Sequence, residues 1–316
     1  YFMFVILFII GAYFEEAYKK KELTHFFKAS AILALAAMVG VCINLSNLYH
    51  TYEYSKETMR GKSELKQEGN AANQTSSGLD RDYITNWSYG IGETLTLLVP
   101  NVKGGASSDN LSQSETAMEK ANPMYSSIYS QFPQYFGDQP WTAGPVYVGA
   151  FVMFLFVLGC FIVKGPLKWA LLGATIFSVL LSWGKNFMGL TDFFIDYVPM
   201  YNKFRAVSSI LVIAEFTIPL LAIFALKEIL GRPEILKLKE NRTGVIVSLV
   251  LTAGVSLVLA VAPSVFFSSF VTAQEMAALQ QGLPAEHLTP VVTNLTEMRK
   301  AIIASDAWRS FFIIAV

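Results

Sequence analysis

The sequence predicts an all-α fold: a polytopic transmembrane helix bundle with a large loop region outside the membrane. Three observations carry this. The 316 residues are 53% hydrophobic but only 15% charged, against roughly a quarter charged in a soluble domain. Mean hydropathy is +0.43. Several apolar runs reach about the 20 residues that a helix needs to cross a bilayer, and they are too long and too uniform for barrel strands.

In chain order, residues 1–48 read as transmembrane helices and a cytoplasmic loop. An apolar run over 1–14 is followed by a basic loop with Lys19, Lys20, Lys21 and Lys28, then by a span over 29–48. Residues 49–142 form a polar, aromatic extracytoplasmic loop region. Residues 143–267 return to transmembrane helices, with apolar segments at 144–163, 166–183, 208–226 and 244–267 and a short outer loop at 184–207. Residues 268–306 are an extracytoplasmic amphipathic segment, with Leu288, Val291, Val292, Leu295, Met298, Ile302 and Ile303 on one helical face. Thr289-Pro290 is its N-terminal signal. Residues 307–316 start a further transmembrane helix. Five complete and two partial runs make about seven membrane segments, and the short terminal runs suggest a fragment of a longer chain. No basic region and no cleavage motif mark a signal peptide.

Lys and Arg gather in the loops at 15–28, 164–168 and 227–242, which the positive-inside rule assigns to the cytoplasm. That leaves 49–142, 184–207 and 268–306 on the outer face. Twenty-four basic residues balance twenty-four acidic ones, so there is no basic surplus for a nucleic-acid partner. Cys42 and Cys160 lie in apolar runs and read as packing residues. His25, His50 and His287 are scattered over both faces and cannot share a metal site. No hydrolase, zinc-protease or nucleotide-loop signature is complete; the 100–105 stretch lacks the Lys-Ser/Thr ending of a phosphate loop and reads as a turn. The acceptor-type triplet at Asn73-Gln74-Thr75 is expected by chance.

Two stretches carry chemistry. In 196–205, Lys203 and Arg205 sit on the face where the positive-inside rule disfavours them, so a negative group is expected nearby. An Arg fork at the start of a helix suits a phosphate; a salt bridge to Asp192 or Asp196, or snorkelling to headgroups, is the alternative. In 80–94, Asp82, Trp87, Tyr89 and Glu93 combine carboxylates with aromatic faces, the mixture a sugar site needs. Glu93, between glycines and a Thr, suits burial and an acid/base role; the alternative is a loop folded onto the membrane surface. Glu215, alone in an apolar run before Pro219, reads either as a proton relay or as a hydrogen-bonding group facing a neighbouring helix.

The stretch Tyr52-Glu53-Tyr54-Ser55-Lys56-Glu57-Thr58-Met59-Arg60-Gly61, the Trp87-Ser88-Tyr89-Gly90-Ile91-Gly92-Glu93-Thr94 block and Leu97-Leu98-Val99-Pro100-Asn101 resemble the YfhO-like family of bacterial membrane proteins. So do Tyr135-Phe136-Gly137-Asp138-Gln139-Pro140, Leu181-Ser182-Trp183-Gly184 and Tyr201-Asn202-Lys203-Phe204-Arg205, in matching order over nearly the whole chain. The resemblance implies a GT-C-type glycosyltransferase in the bacterial cytoplasmic (inner) membrane; the alternatives are a transporter or flippase of lipid-linked glycans, or a non-catalytic envelope-assembly membrane protein. Its partners would be a polyprenyl-phosphate sugar, membrane lipid and a glycan or envelope-polymer acceptor. It also implies that the catalytic carboxylate lies N-terminal to this fragment and that Phe204-Arg205 meets the carrier phosphate, with Lys203 assisting. Arg60, Asp82, Trp87, Tyr89 and Glu93 are the candidate cleft residues. No cofactor is visible in the sequence; such enzymes leave room for a divalent metal.

Overall fold

The computed structural model describes residues 2–58, 60, 61, 75 and 78–316; Met59, Asn73 and Gln74 of the motifs above lie outside the described residues. The described residues are helical or irregular and contain no strand. They divide into two units, each made of two chain segments.

The first unit comprises Tyr1–Ser88 and Lys164–Ala214. The Phe2–Lys20 helix packs along Pro166–Ser182. Gly173 permits this approach, because a methyl there would meet the Phe8 ring at 3.1 Å. Val5, Ala174, Leu181, Phe194, Ile210 and Ile213 form the core. Phe177 lies 5.0 Å from Phe4 and 5.5 Å from Phe194, ring centre to ring centre. The Leu23–Ile43 and Leu45–Lys56 helices bury no residue.

The second unit comprises Tyr89–Val163 and Glu215–Val316. Its longest element is the Ala285–Ala315 helix, which buries Val291, Leu295, Met298, Ile302, Ile303 and Ala307. Those intervals of three and four residues place one stripe against the core. The helix begins five residues ahead of Pro290 and runs unbroken through 307–315. Gly159 against Leu221 and Gly244 against Phe161 mark close helix contacts, since a methyl on Gly244 would meet Phe161 Cβ at 2.6 Å.

Among the described residues three helices are long and apolar enough to cross a membrane: Leu23–Ile43, Val207–Gly231 and Lys239–Val261. The Pro166–Ser182 and Gly184–Tyr197 pair, bent by 107°, brings the number to four. The apolar runs lead to an expectation of about seven segments, two of them partial. The 144–163 run yields only Ala150–Ile162, whose 13 residues reach about 20 Å at 1.5 Å each, short of the roughly 30 Å hydrocarbon core. Gly149, at φ +104°, holds its start in a non-helical conformation. The 166–183 run turns sharply at Gly184 (φ +45°), where any side chain would meet Ser88 Oγ at 2.1 Å. The final run is continuous with Ala285–Ala315, and Phe2–Lys20 ends in Glu15, Glu16, Lys19 and Lys20.

Candidate functional site

The first unit holds the basic candidates. Val198 ends the preceding helix, and the chain then passes through two left-handed residues, Met200 (φ +66°) and Ala206 (φ +63°). Such conformations cost non-glycine residues about 1 kcal/mol or more each, and they bracket the Tyr201–Lys203 turn, Phe204 and Arg205. The segment is tied down on both sides: Leu79 N–H donates to the Asn202 carbonyl (3.0 Å) and Ser208 N–H to the Trp87 carbonyl (3.1 Å).

Arg205 is exposed. Its Nη1 donates to Tyr83 Oη at 2.7 Å, and its guanidinium carbon lies 5.5 Å from the Tyr83 ring centre and 5.4 Å from that of Trp87. Lys203 Nζ donates to the Arg60 carbonyl at 2.5 Å, so Arg60 enters this cluster through its backbone. The expected alternative of a salt bridge to Asp192 or Asp196 is overturned for Arg205: both aspartates belong to Arg81, at 2.6 and 2.7 Å. Among the described residues Arg205 meets no carboxylate within ion-pair distance. Asp82, on the same short helix as Tyr83, is exposed.

The second unit holds Tyr89 and Glu93. Glu93 is 2% exposed. Gly90 N–H donates to its Oε2 (2.5 Å) and Tyr135 O–H to its Oε1 (2.5 Å); Gln139 N–H in turn donates to Tyr135 Oη. Burial raises the Glu93 pKa above the ordinary carboxylate value, with the charge of Asp138 adding to it and hydrogen bonds from Tyr135, Gly90 and the Asp138 backbone opposing. Burial raises the Tyr135 phenol as well. Thr96 O–H donates to the Val146 carbonyl. With its only hydrogen committed there, the hydroxyl accepts from Tyr89 O–H at 2.5 Å. Burial also raises the Tyr89 pKa. Lys103 stands between the Phe136 and Phe267 rings, 4.8 and 4.5 Å from their centres, and burial lowers its pKa. The cavity among Tyr89, Glu93, Lys103, Tyr135 and Gln139 measures ≈ 10 Å³, the size of one water molecule. The five candidate cleft residues are thus divided between units: Arg60, Asp82 and Trp87 in the first, Tyr89 and Glu93 in the second.

Sequence reasoning missed Arg299, which is fully buried. It pairs bidentately with Glu275 and donates to the Phe270 and Pro133 carbonyls. Its signal was present as a charge at i+4 from Leu295 within the apolar stripe. Among the described residues no three His, Cys, Asp or Glu side chains gather as a metal site. Glu215 is exposed. No protein-family model, curated protein or solved structure matches the chain.

Proposed function

We propose that this chain is part of a YfhO-like, GT-C-type membrane glycosyltransferase, transferring a sugar from a polyprenyl-phosphate donor to a glycan or envelope-polymer acceptor. The reaction would take place on the outer side of the bacterial cytoplasmic membrane, the side to which the positive-inside rule assigns the loop at 49–142. The observation that carries this reading is Arg205: exposed, held against Tyr83 and Trp87, and in no ion pair with a carboxylate of the described residues, Asp192 and Asp196 being paired with Arg81 instead. A guanidinium held ready in this way suits a phosphate. In the same unit an apolar cavity of ≈ 510 Å³, lined by Phe4, Leu7, Phe8, Trp169, Phe177 and Phe194, suits an isoprenoid tail. The Phe194 ring centre lies 5.5 Å from that of Tyr201; Tyr201 and Tyr83, the partner of Arg205, both pack against the buried cluster of Leu79, Ile84, Ile195 and Val207.

In the reaction the sugar C1–O bond to phosphate breaks as a bond to the acceptor oxygen forms. The acceptor proton passes to a carboxylate, and the carrier phosphate leaves with its charge stabilised by Arg205 and Lys203. No residue of this chain is assigned the role of base. A lipid-linked-glycan flippase is the second reading. It rests on the 107° break beside Gly184, since broken helices form transporter sites.

The test is transfer in nanodiscs from a radiolabelled polyprenyl-phosphate sugar to a crude envelope acceptor fraction. Arg205→Ala should weaken donor binding roughly 10- to 150-fold, the loss of a charge-assisted contact of about 1.5–3 kcal/mol, while Arg242→Ala binds normally. Equal losses in both variants refute the phosphate role. Carrier crossing between leaflets with its sugar attached establishes the flippase instead.

A further inference from the structure

The 100–105 turn lacks the chemistry of a phosphate loop, yet its geometry is specific. Gly104 N–H donates to the Asn101 carbonyl at 3.0 Å, with Gly104 at φ +80°. A methyl there would meet the Gln134 carbonyl oxygen at 1.9 Å, so only glycine fits. The turn is laced to its neighbours by Phe136 N–H to the Lys103 carbonyl (2.9 Å) and Gln134 N–H to the Asp109 carbonyl (2.7 Å).

Gly105 follows, and what surrounds it is unusual. A methyl built on Gly105 would have as its three nearest atoms Asp109 Oδ2 at 3.5 Å, Asn101 Oδ1 at 3.7 Å and Gln134 Oε1 at 3.7 Å. All three are acceptors, two from the 101–109 turn and one from the Gln134 segment. The amide donor of Gln134 is spent elsewhere: its Nε2 donates to the Asn110 carbonyl at 3.1 Å. Because an amide has one oxygen and one nitrogen, that bond leaves the Gln134 oxygen to face Gly105. The other Asp109 oxygen accepts from Ser108 Oγ at 3.2 Å. None of the three converging oxygens receives a hydrogen bond from another described residue. The lysine of this turn does not serve them, since its ammonium lies between the Phe136 and Phe267 rings.

We propose that Asp109 Oδ2, Asn101 Oδ1 and Gln134 Oε1, converging over Gly105, bind a hydrated divalent cation of the calcium type. Carboxylate, amide carbonyl and water oxygens are the ligands of a hard cation. Ca²⁺ accepts about six to eight oxygens in flexible geometry, whereas Mg²⁺ demands a near-ideal octahedron. Three protein oxygens, one of them charged, with water completing the shell, correspond to a weak site with Kd of about 10⁻⁴–10⁻³ M. The ion would clamp the 101–109 turn to the Gln134 segment. The site is independent of the transferase reading.

The test is calorimetric titration of the whole chain in nanodiscs with CaCl₂ in KCl buffer. Saturable binding is expected. Asp109→Asn should weaken it at least ~10-fold by removing the only charged ligand, and Gly105→Ala should do the same by placing a methyl among the oxygens. Glu119→Gln, an exposed acid of the same unit, should bind as wild type. Melting in EDTA checks that Gly105→Ala folds. Should Asp109→Asn fail to fold, Gln134→Glu reads the site with the opposite sign, because an added carboxylate should tighten Ca²⁺ binding. Absence of saturable binding, or Ca²⁺ affinity unchanged by Gly105→Ala and Gln134→Glu, overturns the proposal.

Discussion

Replacing Arg299 with Met retains most of the side-chain length and removes the charge from a site with 0% side-chain exposure. Four contacts disappear: two to Glu275 at 2.5 and 2.9 Å, one to the Phe270 carbonyl at 2.6 Å and one to the Pro133 carbonyl at 2.8 Å. The stacking on Phe136, 5.0 Å from the guanidinium carbon, goes with them. Glu275 is left with 12% side-chain exposure and no counter-charge. Breaking one half of a buried pair typically costs about 3–5 kcal/mol, which at roughly 2–4 °C per kcal/mol lowers the melting point by about 6–20 °C. The guanidinium's Nε already lacks a partner, so the native pair carries its own desolvation cost. A Glu275→Met, Arg299→Met double variant should therefore be less destabilised than the sum of the singles. Thermal melting in nanodiscs, followed by tryptophan fluorescence, measures all three. A loss below about 1 kcal/mol for Arg299→Met, or a double variant at the sum of its singles, refutes this account of the second unit's stability.

Two other variants test the buried carboxylate and the shared cation. Burial holds the folded pKa of Glu93 above the ordinary carboxylate value of 4.5, so the native state binds this proton more tightly than the unfolded chain. The contribution is fully present below the unfolded pKa and is lost as pH rises through the raised folded value. Glu93→Gln should remove that pH-dependent decline from a melting-temperature profile; a decline of the same size in the variant contradicts it. In the first unit, Arg81→Gln leaves Asp192 and Asp196 facing each other one helical turn apart without their shared cation. Because both aspartates are 43% exposed, the cost should be only about 1 kcal/mol, and it should shrink in 1 M salt. A salt-insensitive loss in chemical denaturation would point to lost packing instead.

What could be read from the sequence followed from local physics. Apolar runs gave helices, and the spacing of Val291, Leu295, Met298 and Ile302 gave the buried stripe of Ala285–Ala315. Hydropathy could not reveal that the 144–163 run is cut short at Gly149, or that Gly184 turns the next one by 107°. Both breaks depend on left-handed glycines, and Gly184 also depends on a distant Ser88. Glu93 was legible because flanking glycines allow close packing around it. Its partner Tyr135 lies 42 residues away, beyond any local pattern. Arg81 was not legible as the ligand of Asp192 and Asp196, since the sequence offers Lys203 and Arg205 as nearer cations. Only the tertiary path of the chain decides between them.

The nesting of the two units along the chain dictates an order of events during synthesis. Arg81 waits 111 residues for Asp192, and Ser88 waits 97 for the Lys185 N–H that it accepts. At about 5–20 residues per second, that is roughly 6–22 s before Arg81 can meet Asp192. Residues 89–163 emerge during this interval but belong to the unit completed by 215–316. The first unit can therefore close once Ala214 is made, while the second still awaits residues 215–316.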